Sequence, residues 1–303
     1  MSWVYLSLIA PLLWSLSNIL DKIAIEHITS NYIPFIFLLS IGNIFFAALI
    51  FIFLDIPQVD LAFAALNILS GLAIFLQYFA YSYSLEDMDV SVVIPLHQSE
   101  PLFVLTVSAI IFHTFPTYTQ ALGFFFITGG ILTLCMSRKT IHGLGDTRHV
   151  AMVFISAFFG AISTLISDEI LKAKNLEFVL FFNFSGYALG GILLLINPTW
   201  RKLITHDLKR LNTRQLSIFG ATNLFDVGGY IFFMAALAAG GGAALVSVIA
   251  SIHPLFVLVF GAIATRNFPN FIREDIAPSG VLRKSIAIII IMTGITIAAL
   301  NGS

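Results

Sequence analysis

Long apolar runs, each about twenty positions in length and separated by short polar breaks, dominate the chain. A membrane-crossing helix needs about 20 mostly apolar residues, because the hydrocarbon layer is about 30 Å thick and each helical residue rises about 1.5 Å. Ten segments meet that length, near residues 3–24, 32–54, 61–84, 89–112, 116–137, 149–171, 176–197, 216–238, 241–265 and 284–300. The runs are continuous and do not alternate polar with apolar, so helices are expected and not the strands of a lipid-facing barrel. The first run follows Met1-Ser2-Trp3 with no basic stretch before it, and is read as a retained helix, not as a cleaved signal.

The pattern repeats. Glu100-Pro101-Leu102-Phe103-Val104-Leu105 returns 153 positions later as His253-Pro254-Leu255-Phe256-Val257-Leu258, with five consecutive identities. On either side, Ser17 to Lys22 lines up with Ser163 to Asp168, and Gly130-Ile131 with Gly294-Ile295. Five spans per copy is an odd number, so the copies must enter the membrane in opposite directions, a design many secondary transporters use. The expected fold is therefore an all-α integral membrane protein with ten transmembrane helices in two inverted-topology five-helix repeats. The first repeat is placed at 1–137, a basic connecting loop at 138–148 and the second repeat at 149–303.

Composition strengthens the membrane reading. Hydrophobic residues make up 58% and charged residues 10% of the chain, with a mean hydropathy of +0.97, whereas soluble domains carry roughly a quarter charged residues. A net charge of -1 gives no sign of a nucleic-acid partner. The single Cys135 excludes an internal disulfide and reads as a small buried hydrophobe. Of the 15 Lys and Arg residues, only Lys172 and Lys174 fall on the face that ten spans would give the termini. Basic loops stay cytoplasmic, so the connections at 138–148, 198–215 and 266–283 are expected on the cytoplasmic side of the cell membrane, with both termini outside.

Ionisable groups near the middle of apolar spans are costly, about 2.5–3.5 kcal/mol each on insertion scales, and so tend to face a cavity or a partner. His97, Glu100, Asp226 and His253 hold such positions. Glu100 and His253 are equivalent in the repeat, which predicts a pair or at least a shared cavity. Pro95, Pro101 and Pro254 are candidate helix-breaking residues whose freed carbonyls suit a midplane binding site, or which bend helices around a packed interface. Glu100 is the proton-coupling candidate, since exposure to alternate sides could load and release a proton; a neutral Glu100 hydrogen-bonded to His97 is the structural alternative. Metal binding by the histidines is not expected, for want of nearby Cys or Asp ligands.

Further candidates come from helical spacing. Asn223, Asp226 and Tyr230 at i, i+3 and i+7 share a face. Gln77, Tyr78 and Tyr81 form a polar and aromatic stripe, with an interfacial belt as the alternative for the tyrosines. Trp14, Ser17, Asn18 and Asp21 in span one, with Ser163, Ser167 and Asp168 in span six, are further candidates. Asp21 and Asp168 lie near helix ends and are expected to be solvated. Gly186 and Gly190 read as a close helix contact. Gly240-Gly241-Gly242 reads as a tight turn and not as a phosphate loop, since no Lys-Ser or Lys-Thr follows.

The segment Trp14-Ser15-Leu16-Ser17-Asn18 resembles the Trp-plus-small-residue signature that opens the EamA-type halves of the drug/metabolite transporter superfamily. The run from Val90 to Leu134, with Pro101, Pro116-Thr117, Gln120, Gly123 and Gly129-Gly130, is similar to that family's fourth and fifth helices, and Ala243 to Leu300 is a looser copy. The resemblance implies a ten-helix transporter with a central cavity, alternating access and no ATP hydrolysis. Two departures stand out: the family's Gly-Glu pair is replaced near His113-Thr114, and a charged insertion with Glu274 and Asp275 runs from Asn267 to Lys284. Relatives are also usually drawn with cytoplasmic termini, against the charge count. The expected function is a secondary active exporter or exchanger of a small metabolite such as an amino acid or a lipophilic amine. The expected partners are that solute, membrane lipid and, as an option, protons, with no cofactor and no enzymatic role. A channel or receptor is the alternative; an intramembrane protease has only Asp226-Val227-Gly228 to suggest it.

Overall fold

A computed structural model of the chain describes residues 2–54, 60–112, 117–135, 147–241, 246, 249–250, 252–270 and 277–299. The helices are α1 (Ser2–His27), α2 (Tyr32–Phe53), α3 (Leu61–Leu85), α4 (Val90–His97), α5 (Glu100–Phe112), α6 (Tyr118–Cys135), α7 (Thr147–Leu171), α8 (Leu176–Leu194), α9 (Pro198–Arg210), α10 (Thr213–Ala236), α11 (His253–Asn267) and α12 (Pro278–Ala299). Among the described residues there is no strand. Seven of these helices, α1, α2, α3, α7, α8, α10 and α12, are long and apolar enough to cross a membrane. Large apolar side chains such as Phe53, Leu61 and Ile289 point outward, as a lipid-facing surface requires. The chain is a multi-pass membrane protein.

Helix starts follow local chemistry. Asn31, Asp60, Asn175 and Asn197 each accept a hydrogen bond from a backbone N–H of the first turn, and Asn212 with Gln215 forms a reciprocal capping box. Two of these caps explain a correction. The connection at 198–215, expected as a charged loop, is instead the amphipathic helix α9 and the start of α10, because Asn197-Pro198 opens one helix and Asn212 the next. Ile204 and Asp207 of α9 are buried, and the Asp207 carboxylate accepts the Ser30 N–H at 2.7 Å.

The prolines also act differently from expectation. The fourth span is broken into α4 and α5 at Gln98-Ser99. Pro101 lies in the first turn of α5 and Pro254 in the first turn of α11, where no intrahelical partner for the missing N–H is needed. They start helices and do not kink them; of the three candidates Pro95 stays inside a helix, as Pro11 does in α1. Gly240 and Gly241, expected in a tight turn, belong to a wider π-helical turn, Leu237–Gly241, that continues α10. Outside the described residues lie Gly242, most of the approach to α11, His113-Thr114, Glu274, Asp275, and the connecting segments 138–146 and 271–276.

Packing is close where side chains vanish. α3 packs on α7 and α8, α2 on α8, α1 on α10 and α11, α5 on α7, and α6 on α12. A methyl group on Gly186 of α8 would sit 2.9 Å from Gly71 Cα of α3 and would overlap the Ile68 carbonyl oxygen. Gly190 is filled against by Phe75, so the Gly-x-x-x-Gly of α8 serves contact within the chain. Polar side chains bind the same helices together. Asn183 donates to Asn67 Oδ1 at 2.8 Å and to Ser167 Oγ at 3.1 Å, Asn67 donates to the Val179 carbonyl at 2.8 Å, and Ser70 bonds both Ser163 and Ser167.

The α3–α4 turn is a junction of four other helices. Lys22 of α1 donates to the carbonyls of Leu85 at 2.6 Å and Met88 at 3.0 Å, capping the end of α3. Glu86 accepts the Tyr32 N–H of α2, Asp87 pairs with His149 of α7 at 3.1 Å, and Asp89 pairs with Lys284 of α12 at 3.1 Å. Burial raises the Glu86 carboxyl above its ordinary range, opposed by the Tyr32 N–H. Lys22 and Lys284, counted from the sequence among the loop cations, are buried clamps, only 6% and 1% exposed.

Candidate functional site

Between these helices lies a cavity of about 190 Å³. Its wall is drawn from both halves of the sequence. α1 supplies Trp14 and Asn18, α3 supplies Gln77, Tyr78 and Tyr81, and the α4–α5 break supplies His97, Gln98 and Glu100; α10 adds Asp226 and Tyr230, and α11 adds His253. Of the sixteen polar and aromatic side chains singled out in the sequence, Ser17, Asp21, Ser167 and Asp168 stand outside this wall and eleven line one space. Asn223 does not. It is buried, donates to the Phe219 carbonyl at 3.0 Å, and fills the space beside Gly42 of α2. Three positions at i, i+3 and i+7 span about 60° of drift on an ideal helix, enough to turn Asn223 from the cavity toward α2.

The helix break sets the geometry at Glu100. Its Oε1 accepts the Thr164 hydroxyl at 3.0 Å, and Gly160 of α7 leaves room for the carboxylate, since a methyl there would lie 3.0 Å from Oε2. The Gln77 amide nitrogen lies 3.2 Å from His97 Nε2. An amide nitrogen only donates, so in this orientation Nε2 accepts and the imidazole proton sits on Nδ1. That atom is 3.9 Å from Glu100 Oε2, beyond hydrogen-bond length. The expected Glu100–His253 pair is not formed either. His253 Nε2 bonds Asn18 Oδ1 at 2.9 Å, and the two repeat-equivalent residues share the cavity with separate partners.

Asp226 is held from two sides. Tyr78 donates its hydroxyl to Asp226 Oδ1, while Trp14 Nε1 donates to the Asp226 backbone carbonyl at 3.2 Å. The Trp14 ring packs on Phe233 and His253, with centroids 5.5 and 6.0 Å apart. Tyr81, for which an interfacial belt was one reading, is buried and donates to Asp21 Oδ2 at 3.3 Å. Asp21 itself corrects an expectation: it is not solvated at a helix end but 0% exposed. Asp168 pairs with Lys172 at 3.8 Å on the surface.

Sequence reasoning missed the contribution of α8. Asn183, Phe184 and Tyr187 line the cavity, as do Gly160, Ser163 and Thr164 of α7. Asn183 and Tyr187, polar residues at i and i+4 in an apolar run, were the available signal. The result is an aromatic chamber with two carboxyl groups, Glu100 and Asp226, and with no Lys or Arg among its described lining residues. Among the described residues no cluster of three or more His, Cys, Asp or Glu side chains is arranged to hold a metal.

Comparison with known proteins places this architecture. A solved crystal structure superposes over 98% of this chain and 96% of its own length, with a TM-score of 0.60 at 15% sequence identity, a likeness of fold. No curated protein matches the sequence. The profile of the EamA-like transporter family matches residues 1–136 and again 147–273. With a two-part match over most of its length, the chain belongs to the EamA-like transporter family and is a membrane transporter of the drug/metabolite kind.

Proposed function

We propose that the protein is a secondary carrier that exchanges a small amine-bearing solute, an amino acid or a lipophilic amine, by alternating access around the cavity between α1, α3, α7 and α10. The observation that carries this reading is the lining: aromatic rings surround two carboxyl groups without a basic counter-charge. Such a wall favours a cation, which gains from both carboxylates and aromatic faces, and repels an anion. The volume suits a solute about the size of one ring with a short arm, since an apolar cavity of about 150 Å³ accommodates benzene.

Ten spans in two inverted halves, 1–137 and 149–303, remain our reading of the topology, with α4 and α5 together forming the fourth. Mirrored contacts support it. α1 packs on α10 and α11 while α7 packs on α3 and α5. Gly130 faces Ile291 and Gly294 faces Ile127 across the α6–α12 pair. The starts of α5 and α11 carry the same turn, Leu102 N–H to Ser99 O and Leu255 N–H to Ile252 O, each at 2.9 Å. The basic α9 and its neighbouring loops then face the cytoplasm of a cell membrane.

Glu100 is the group through which a proton competes with the solute. Purified protein in liposomes tests both parts: an amine is expected to accumulate against an outward proton supply while its uncharged isostere does not. In Glu100→Gln the pH dependence of uptake is expected to flatten. Uptake that discriminates against the amine overturns the charge argument, and an unchanged pH profile in Glu100→Gln overturns the proton role.

A further inference from the structure

Asp21 has no role in the cavity, yet its surroundings are unusual. The side chain is 0% exposed on a membrane-spanning helix. Oδ2 receives the Tyr81 hydroxyl at 3.3 Å and the Asn18 amide at 3.5 Å, and Ser17 stands one helical turn before it on α1. Oδ1 receives nothing from the protein, and neither does the buried hydroxyl of Thr222, whose carbonyl is bonded by Ser17 at 3.3 Å. Every donor to the carboxyl is therefore neutral.

A buried carboxylate without a compensating positive charge is strongly unfavourable. The nearest cation in sequence, Lys22, is directed away, to the carbonyls of Leu85 and Met88 and to Glu26 at 2.9 Å. The other ionisable groups facing this site add no positive charge in the neutral imidazole state: Asp226 lies opposite, Tyr78 and Tyr81 stand between the two carboxyls with ring centroids 5.8 Å apart, and His253 reaches Asn18. A buried water would satisfy the lone pair of Oδ1 but leave the charge in place. A cation satisfies both.

We propose that Asp21, with the Tyr81 hydroxyl on Oδ2, an unpartnered Oδ1 and Ser17 one helical turn before it, is a buried site for a monovalent cation, a proton or a sodium ion, separate from the solute cavity. The site communicates with the cavity through a chain of hydrogen bonds: His253 Nε2 to Asn18 Oδ1, Asn18 Nδ2 to Tyr81 Oη at 3.0 Å, and Tyr81 to Asp21. Occupation of Asp21 thereby fixes Asn18 and Tyr81, both of which line the cavity. In the carrier reading, on which this last step rests, that is how an ion gradient biases solute binding.

The cation site is testable without any transport. Thermal unfolding of the detergent-purified protein is followed while sodium chloride replaces choline chloride at constant ionic strength and alkaline pH, and again across pH in choline chloride alone. A ligand that binds the folded form raises its melting temperature. Sodium-dependent stabilisation assigns a sodium ion, and stabilisation by acid alone assigns a proton. Asp226 faces Asp21 and feels the loss of its charge, so the comparison is made in an Asp226→Asn background, where the difference between Asp226→Asn and Asp21→Asn/Asp226→Asn isolates Asp21. The double variant is expected to lose the dependence. If it does not fold, Ser17→Ala keeps the charge and is expected to move half-saturation to higher cation concentration. A wild type indifferent to both cations, an Asp21→Asn/Asp226→Asn protein with the dependence of Asp226→Asn, or a Ser17→Ala protein with the wild-type dependence, overturns the site. Cation-linked stability in a protein that moves no solute would instead overturn the carrier reading alone.

Discussion

Gly186→Ala tests how tightly α3 and α8 are bound. The added methyl would overlap the backbone carbonyl oxygen of Ile68 and sit 2.9 Å from Gly71 Cα, whereas non-bonded heavy atoms rest at about 3.5–4.0 Å, so the helices must separate by roughly 1 Å. The neighbouring Asn183–Asn67 bond is 2.8 Å long and would stretch with them. A gap of that size forfeits about a quarter to a half of each dispersion contact along the seam, and overpacking of this kind costs about 1–3 kcal/mol. For a chain of this size the apparent melting temperature in detergent should fall by roughly 2–6 °C. Gly160→Ala is the matched control. Its methyl would meet the ends of flexible side chains, Glu100 Oε2 at 3.0 Å and Gln77 Nε2 at 3.2 Å, so melting should change by less than about 2 °C while solute affinity falls. An unchanged melting temperature in Gly186→Ala, or equal losses in the two variants, would refute the reasoning.

Other expectations follow from the same contacts. Lys22→Met leaves the Leu85 and Met88 carbonyls without their buried donor and should destabilise by about 2–4 kcal/mol in denaturant or thermal unfolding. Asn67→Leu removes the acceptor of the Asn183 amide and two donors to α8 carbonyls; a loss of about 1–2 kcal/mol is expected, on the upper side of interhelical bonds in membranes. Glu86 gives a pH signature outside the membrane. Its folded carboxyl titrates above the unfolded one because of burial, so its contribution is fully present below the unfolded value and is lost as pH rises through the folded value. Glu86→Gln, which still accepts the Tyr32 N–H, should match wild type in acid and melt increasingly above it toward neutral pH; a constant difference would contradict the assignment.

Much of the cavity was legible because ionisable and aromatic residues in apolar runs have few tolerable places. His97, Glu100, Asp226 and His253 fell into it for that reason. What escaped had physical causes. The fourth span was read as one helix from its length, although the polar run His97-Gln98-Ser99-Glu100 interrupts its apolar text at the break and Pro101 marks where a new helix can begin. α9 was hidden by its charge: Arg201, Lys202, Lys209 and Arg210 read as loop, although Asn197-Pro198 is a helix start. Asp21 was misjudged because nearness to a helix end was taken as exposure, while Tyr81 and Asn18 close over it. Asn223 was misjudged by the opposite error, since shared helical spacing does not say which neighbour, cavity or α2, a face meets.

The central claim, that one cavity is presented in turn to the two sides of the membrane, is tested most directly by counterflow. Liposomes carrying the protein are preloaded with unlabelled amine, diluted into medium containing a trace of labelled amine, and followed with all ion gradients collapsed. An obligatory exchange of sides predicts transient accumulation of label above its external level, reduced in Asp226→Asn. Label that only rises to the external level, with no overshoot, is the behaviour of an open pore and would contradict the account.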